Sequence, residues 1–184
     1  MGTPVIEPVP RPRPLVVGDA DSSAAAAYIY ADVLAQVQSN GDLGKAAGSR
    51  GLIAAGLLVG SHYQCPSNHR PYVEIEGFVG GAQVASFLDL LKQWRGEWKA
   101  AALALKYHFP AGELVGWFAS LDGTIGTADA PPDDAQLLHR TFFNHPWQIG
   151  LFAPRERTSP RVFAVERGQL ESHGVCVIQG RTSR

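Results

Sequence analysis

The sequence predicts an α+β domain, α/β-like in character, in which a mixed β-sheet is flanked by one long helix and by shorter helices. Three observations predict it. "GLIAAGLLVGSHY", residues 51–63, is a continuous apolar run bounded by glycine, the pattern of a strand buried on both faces. Val73, Ile75 and Phe78 then interleave with Glu74 and Glu76, a period close to two that fits a half-exposed strand paired to the previous one. From residue 82 to about 106 the period changes. Val84, Phe87, Leu88, Leu91, Trp94 and Trp98 recur at steps of three and four, which marks an amphipathic helix with Gly96 as its weak point.

The remaining elements follow in order. Residues 1–14 hold five prolines, Pro10, Pro12 and Pro14 among them. Proline fixes φ and lacks an amide donor, so this piece is an extended N-terminal arm, either a disordered tail or a strap that docks on a partner. "LVVGD", 15–19, is a short strand. Asp21 or Ser22 then caps a helix over "SSAAAAYIYADVLAQVQSNG", with Ala26, Ile29, Val33 and Val37 on one face and Asn40-Gly41 as the stop. A loop, 41–50, leads into the apolar strand, and "CPSNHRP" is a turn. "ELVGWFAS", 113–120, is the next strand. Pro131-Pro132 starts a helix whose first turn carries Asp133 and Asp134, favourable at the positive end of a helix dipole. "WQIGLFAP" and "RVFAVERG" are two more strands, joined by a polar turn. "GVCVIQ" is a last strand before a basic tail, 179–184. The folded domain thus spans 15–178, with no internal repeat.

Composition narrows the function classes. The chain has 184 residues, a length that suits one domain with one sizeable core. Sixteen basic against seventeen acidic residues leave a net charge of −1. That gives no basic field for nucleic acid and no polybasic patch for a membrane surface. The N-terminus has no apolar signal core, and no segment reaches the roughly 20 apolar residues needed to span a bilayer. The expected setting is the cytoplasm. Cys65 and Cys176 match no metal or redox spacing and read as free thiols.

No histidine pair among the six forms HxH, HExxH or HxxxH. Asp122, Asp129, Asp133 and Asp134 lie close together, but their spacing is not that of an EF-hand loop, and the glycines and prolines around them mark an exposed turn. "GFVGGAQ" fits neither the dinucleotide nor the P-loop pattern.

Several pieces, taken in order, resemble the JAB/MPN (JAMM) family. Gly56-Leu57-Leu58-Val59-Gly60 is similar to its first strand. Gly116-Trp117-Phe118-Ala119-Ser120-Leu121-Asp122 is similar to its "GWxHSHP" strand. Asp133-Asp134-Ala135-Gln136 is similar to its following helix start, and "IGLFAPRERTSPRVFAV" to the strand–turn–strand after it. Active members hold one zinc with two histidines and an aspartate, leave a position for water, use a glutamate as general acid/base and a serine at the oxyanion. Carried over position by position, the histidines fall on Ala119 and Leu121, the proline after them on Asp122, the serine on Ala130 and the glutamate on Ile53. Asp133 alone keeps its type.

One carboxylate does not hold a catalytic zinc. The resemblance therefore implies a catalytically inactive member with no cofactor and no metal. It implies a scaffold subunit acting through protein–protein contacts, as a homodimer or paired with another MPN-type domain. Trp94 and Trp98 on the long helix, with the proline arm, are its candidate docking parts. Two other readings stand beside this one: a hydrolase or peptidase using non-standard metal ligands, and a small-molecule sensor using the vacated pocket around Ile53, Ala119, Leu121 and Ala130.

Overall fold

The computed structural model describes residues 25–40, 51–66, 68–121, 130–154 and 159–179. Its strands are β1 (Ala25–Tyr30), β2 (Ile53–Gln64), β3 (Pro71–Val84), β4 (Glu113–Leu121), β5 (Ile149–Pro154), β6 (Arg161–Glu166) and β7 (Gln169–Ile178). Its helices are α1 (Ala31–Asn40), α2 (Phe87–His108) and α3 (Asp133–Phe142). The strands close into a mixed barrel in the order β1-β3-β2-β4-β5-β6-β7. This overturns the expected open sheet flanked by helices.

The difference begins at β1. The segment Ala25–Tyr30 carries the alanine run expected to be helical, yet it is a strand parallel to both β3 and β7. Ala27 pairs with Val73 on one side and Val175 on the other. Five of its six residues are buried. Small side chains flanked by Tyr28, Ile29 and Tyr30 suit a strand with neighbours on both edges, and that packing overrides the helix propensity of alanine. Among the described residues of the expected helix, only 31–40 are helical. The strand expected at 15–19 lies outside the described residues.

The other elements sit close to their expected places. β2 is buried along its first eight residues, as its apolar run requires. β3 runs longer than its alternation suggested, and Glu74 is buried rather than solvated because β3 lies in the wall between β1 and β2. The long helix starts at Phe87 rather than 82, where Ser86 caps it. The Ser86 hydroxyl accepts the Asp89 N–H at 3.1 Å and donates to the Asp89 carboxylate at 2.7 Å. β6 and β7 form a hairpin through Arg167 and Gly168, both at positive φ.

Two apolar clusters fill the molecule. The first joins Ile149, Leu151, Ala153 and Val162 to Val33, Leu34 and Val37 of α1. α1 contacts β1, β3, β4, β5 and β7, strands on opposite sides of the barrel, so it closes the mouth at which β1 ends. The second cluster joins the alternate faces of the same strands, Trp117, Ala119, Phe152 and Phe163, to α2 and α3. The barrel wall is thus apolar on both faces along β4, β5 and β6.

Register in the wall depends on close backbone approach at Gly60, beside a register shift in the β2–β3 ladder. A Cβ built there would sit 1.8 Å from the Glu74 carbonyl oxygen, which is backbone and cannot swing away. Gly60→Ala is expected to cost about 3 kcal/mol of unfolding free energy, read by urea titration.

Candidate functional site

The positions that the family resemblance marks lie near the α1 end of the barrel. Ile53, Ala119 and Leu121 are buried in the second cluster, packed with Trp117, Ala135 and Leu138. Ala119 and Leu121 belong to the cluster that joins β4 to α2 and α3. Ala130 and Asp133 are exposed at the start of α3. Asp122 and Asp129 lie outside the described residues. Ser120 is fully buried with no hydrogen-bond partner for its hydroxyl. No group of three or more His, Cys, Asp or Glu side chains is placed to hold a metal ion among the described residues.

The proposed docking tryptophans differ from each other. Trp94 is 5% exposed and packs edge-on against Phe142 and Phe143. Trp98 is half-buried and stacks on Phe142 at 4.5 Å. Pro10, Pro12 and Pro14 lie outside the described residues. Cys65 and Cys176 are buried free thiols.

Trp117 anchors a polar contact inside the second cluster. Its indole N–H donates to His139 Nδ1 at 3.1 Å. The imidazole therefore carries its proton on Nε2, which is buried without a partner. Burial lowers the His139 pKa from 6.5 to about 4. This arrangement keeps a neutral ring against Phe143.

The polar side chains that converge lie at the opposite mouth. There the β2–β4 ladder pairs Gly60 with Glu113. Two residues on, His62 Nδ1 meets the Glu113 carboxylate. The His62 ring lies flat on Trp147, with centroids 4.2 Å apart and planes 8° from parallel. His145 stacks on Trp147 as well, at 4.3 Å and 13°. Two rings cannot share one indole face at these distances, so Trp147 is sandwiched between the imidazoles.

Gln148 fixes the turn that carries this stack. Its side chain accepts the His145 N–H at 3.1 Å and donates to the Leu114 carbonyl at 3.0 Å, tying the turn to the start of β4. A cavity of about 510 Å³ opens beside the stack, bounded by His62, Glu113, Leu114, Phe142 and His145. Trp147 also lines a cavity of about 220 Å³, bounded by Ala25, Arg70, Glu166 and His173. The His62 side chain is 10% exposed and its Nε2 is covered. Glu113 thus holds the His62 ring against Trp147, while its own side chain stays half exposed at the edge of the stack.

His62, Glu113, His145 and Trp147 carry no local signal in the sequence. His62, Glu113 and the His145–Trp147 pair are separated by tens of residues and meet only because the β2–β4 register and the turn before β5 bring them to one rim. Among the described residues, no helix is long and apolar enough to cross a membrane.

No family model matches the chain, and no curated protein matches it. Among solved structures, the solution structure of a structural-genomics protein from Desulfitobacterium hafniense is similar at a TM-score of 0.45 and 12% identity, covering 84% of this chain and 94% of that one.

The His139 contact carries a pH dependence. Its folded pKa lies below its unfolded value, so the unfolded chain holds the proton more tightly. The stabilising share is complete above pH 6.5 and is lost as pH falls toward 4. Unfolding free energy is expected to drop by about 3 kcal/mol across that window, and His139→Leu to flatten that part of the profile. Urea titrations at several pH values check this.

Proposed function

We propose that this chain is a non-catalytic structural or scaffold subunit that works by binding other proteins. The observation that carries the reading is an unpartnered apolar stripe on α2. The face of α2 toward the barrel is spent on Phe87, Leu90, Leu91, Trp94 and Leu105. A second stripe, Ala100, Leu103, Ala104 and Tyr107, follows the same helical spacing on another face. Leu103 is 69% exposed and Tyr107 is 82% exposed. Large apolar side chains grouped on one helix face mark surfaces that another protein covers. A cavity of about 360 Å³, bounded by Ala100 and Ala104 of the stripe with Glu97, Val79 and Gly80, borders it. It provides depth for an inserted side chain.

Two further features support this reading. The JAB/MPN resemblance puts its ligand and base positions on Ile53, Ala119 and Leu121, which are packed core residues. A near-neutral surface also adds little charge repulsion between copies or subunits. The docking part of α2 is its C-terminal half. Trp94, at the centre of its buried half, holds the helix to the barrel.

Affinity capture of the tagged full-length chain from its native cell tests the proposal. A stoichiometric partner, or a homodimer on light scattering, is expected. The double variant Leu103→Glu, Tyr107→Glu is expected to abolish association. Because both positions are exposed, its unfolding free energy should stay within about 0.5 kcal/mol of the parent. A chain that emerges alone and scatters as a monomer, or association unchanged in the double variant, contradicts the proposal.

A further inference from the structure

We infer that the rim carrying Trp147 is the docking surface for the chain's own proline-rich arm, Pro8–Pro14, supplied from the same molecule or from a second copy. This is independent of the α2 stripe, which lies on a different element.

The occupant is indicated by where the described chain begins. β1 starts at Ala25, and Ala25 and Ala26 help bound the cavity beside Trp147. The chain therefore enters β1 at this rim. Residues 15–24 separate Pro14 from Ala25, and ten residues reach at most roughly 35 Å. That length lets the arm lie across the rim.

The chemistry of the two surfaces matches. The segment reads Pro-Val-Pro-Arg-Pro-Arg-Pro. Proline at alternate positions favours the extended polyproline conformation, and such segments bind in grooves lined by aromatic rings. Both faces of Trp147 are covered by imidazoles, so the rings that the rim offers are the exposed His145 and, across the larger cavity, the half-buried Phe142. Proline rings pack on such faces at low entropic cost, because proline restricts a chain before it binds.

Charge sets the polarity of the match. Arg11 and Arg13 are the only charged side chains of the Pro8–Pro14 segment. The rim offers Glu113, 55% exposed, and Glu166, 49% exposed, each set beside a histidine rather than a lysine or arginine. Arg70 is also on this rim and opposes arginine near the smaller cavity. The favoured course for the arm is therefore along the larger cavity, past Glu113 and Leu114.

Site-specific photocrosslinking in the full-length chain tests this. Val9 is replaced by p-benzoylphenylalanine, the protein is irradiated, and the crosslinked residues are mapped by mass spectrometry. Crosslinks are expected at residues 142–148 and 113–114. Their appearance in a monomer band assigns docking within one molecule, and in a dimer band docking between copies. The charge reversal Arg11→Glu, Arg13→Glu is expected to lower the yield about fivefold, the loss of two exposed ion pairs. Crosslinks scattered over the surface, crosslinks confined to α2, or a yield indifferent to the charge reversal would overturn the inference.

Discussion

The parallel pairing of β1 with both β3 and β7 is the constraint on which the rest depends. It joins the two ends of the strand order and removes both free edges, which would otherwise be open to pairing with another chain. It also fixes the two mouths. One receives α1, which follows β1 without a break and crosses to β4 and β5. The other is left with the turn before β5, the end of β2 and the start of β4, where the His62–Trp147–His145 stack forms. A helix over Ala25–Tyr30 would leave β3 and β7 unpaired along these edges.

The wall accounts for the burial of Ala119 and Leu121. β4 packs Phe118 toward one cluster and Trp117, Ala119 and Leu121 toward the other. With helices on its outer face, the strand has no solvent side from Val115 to Leu121. Polar groups that remain in it need partners inside the protein. Trp117 and His139 satisfy one another across the β4–α3 contact, at the cost of one uncompensated imidazole nitrogen. The exposed apolar and aromatic groups lie elsewhere, at Leu103 and Tyr107 of α2 and at His145 of the rim.

The sequence made some of this legible. The apolar run at 53–60 declared a strand buried on both faces, and the change of period near residue 84 declared α2, because both signals are local. The barrel was not legible. Its closure depends on β1, whose alanines are compatible with helix and strand alike, and only the two neighbouring strands decide between them. Glu74 misled in the same way, since alternation predicts a solvated carboxylate where the closed wall has no solvent face. Trp94 and Trp98 looked equivalent at helical spacing, yet one lies in the core and the other at its margin. The stack at the rim was beyond sequence reasoning, because His62, Glu113 and Trp147 are joined by register and not by spacing.

Closure by β1 is measured most directly by amide and side-chain nuclear Overhauser contacts in the labelled full-length protein. The account predicts interstrand contacts pairing Tyr28 with Cys176 and Ile29 with both Val177 and Ile75, with slow amide exchange through Tyr30. Sequential helical contacts through Ala25–Tyr30, with no contacts to β7, would contradict it and would open the barrel on which both proposed surfaces stand.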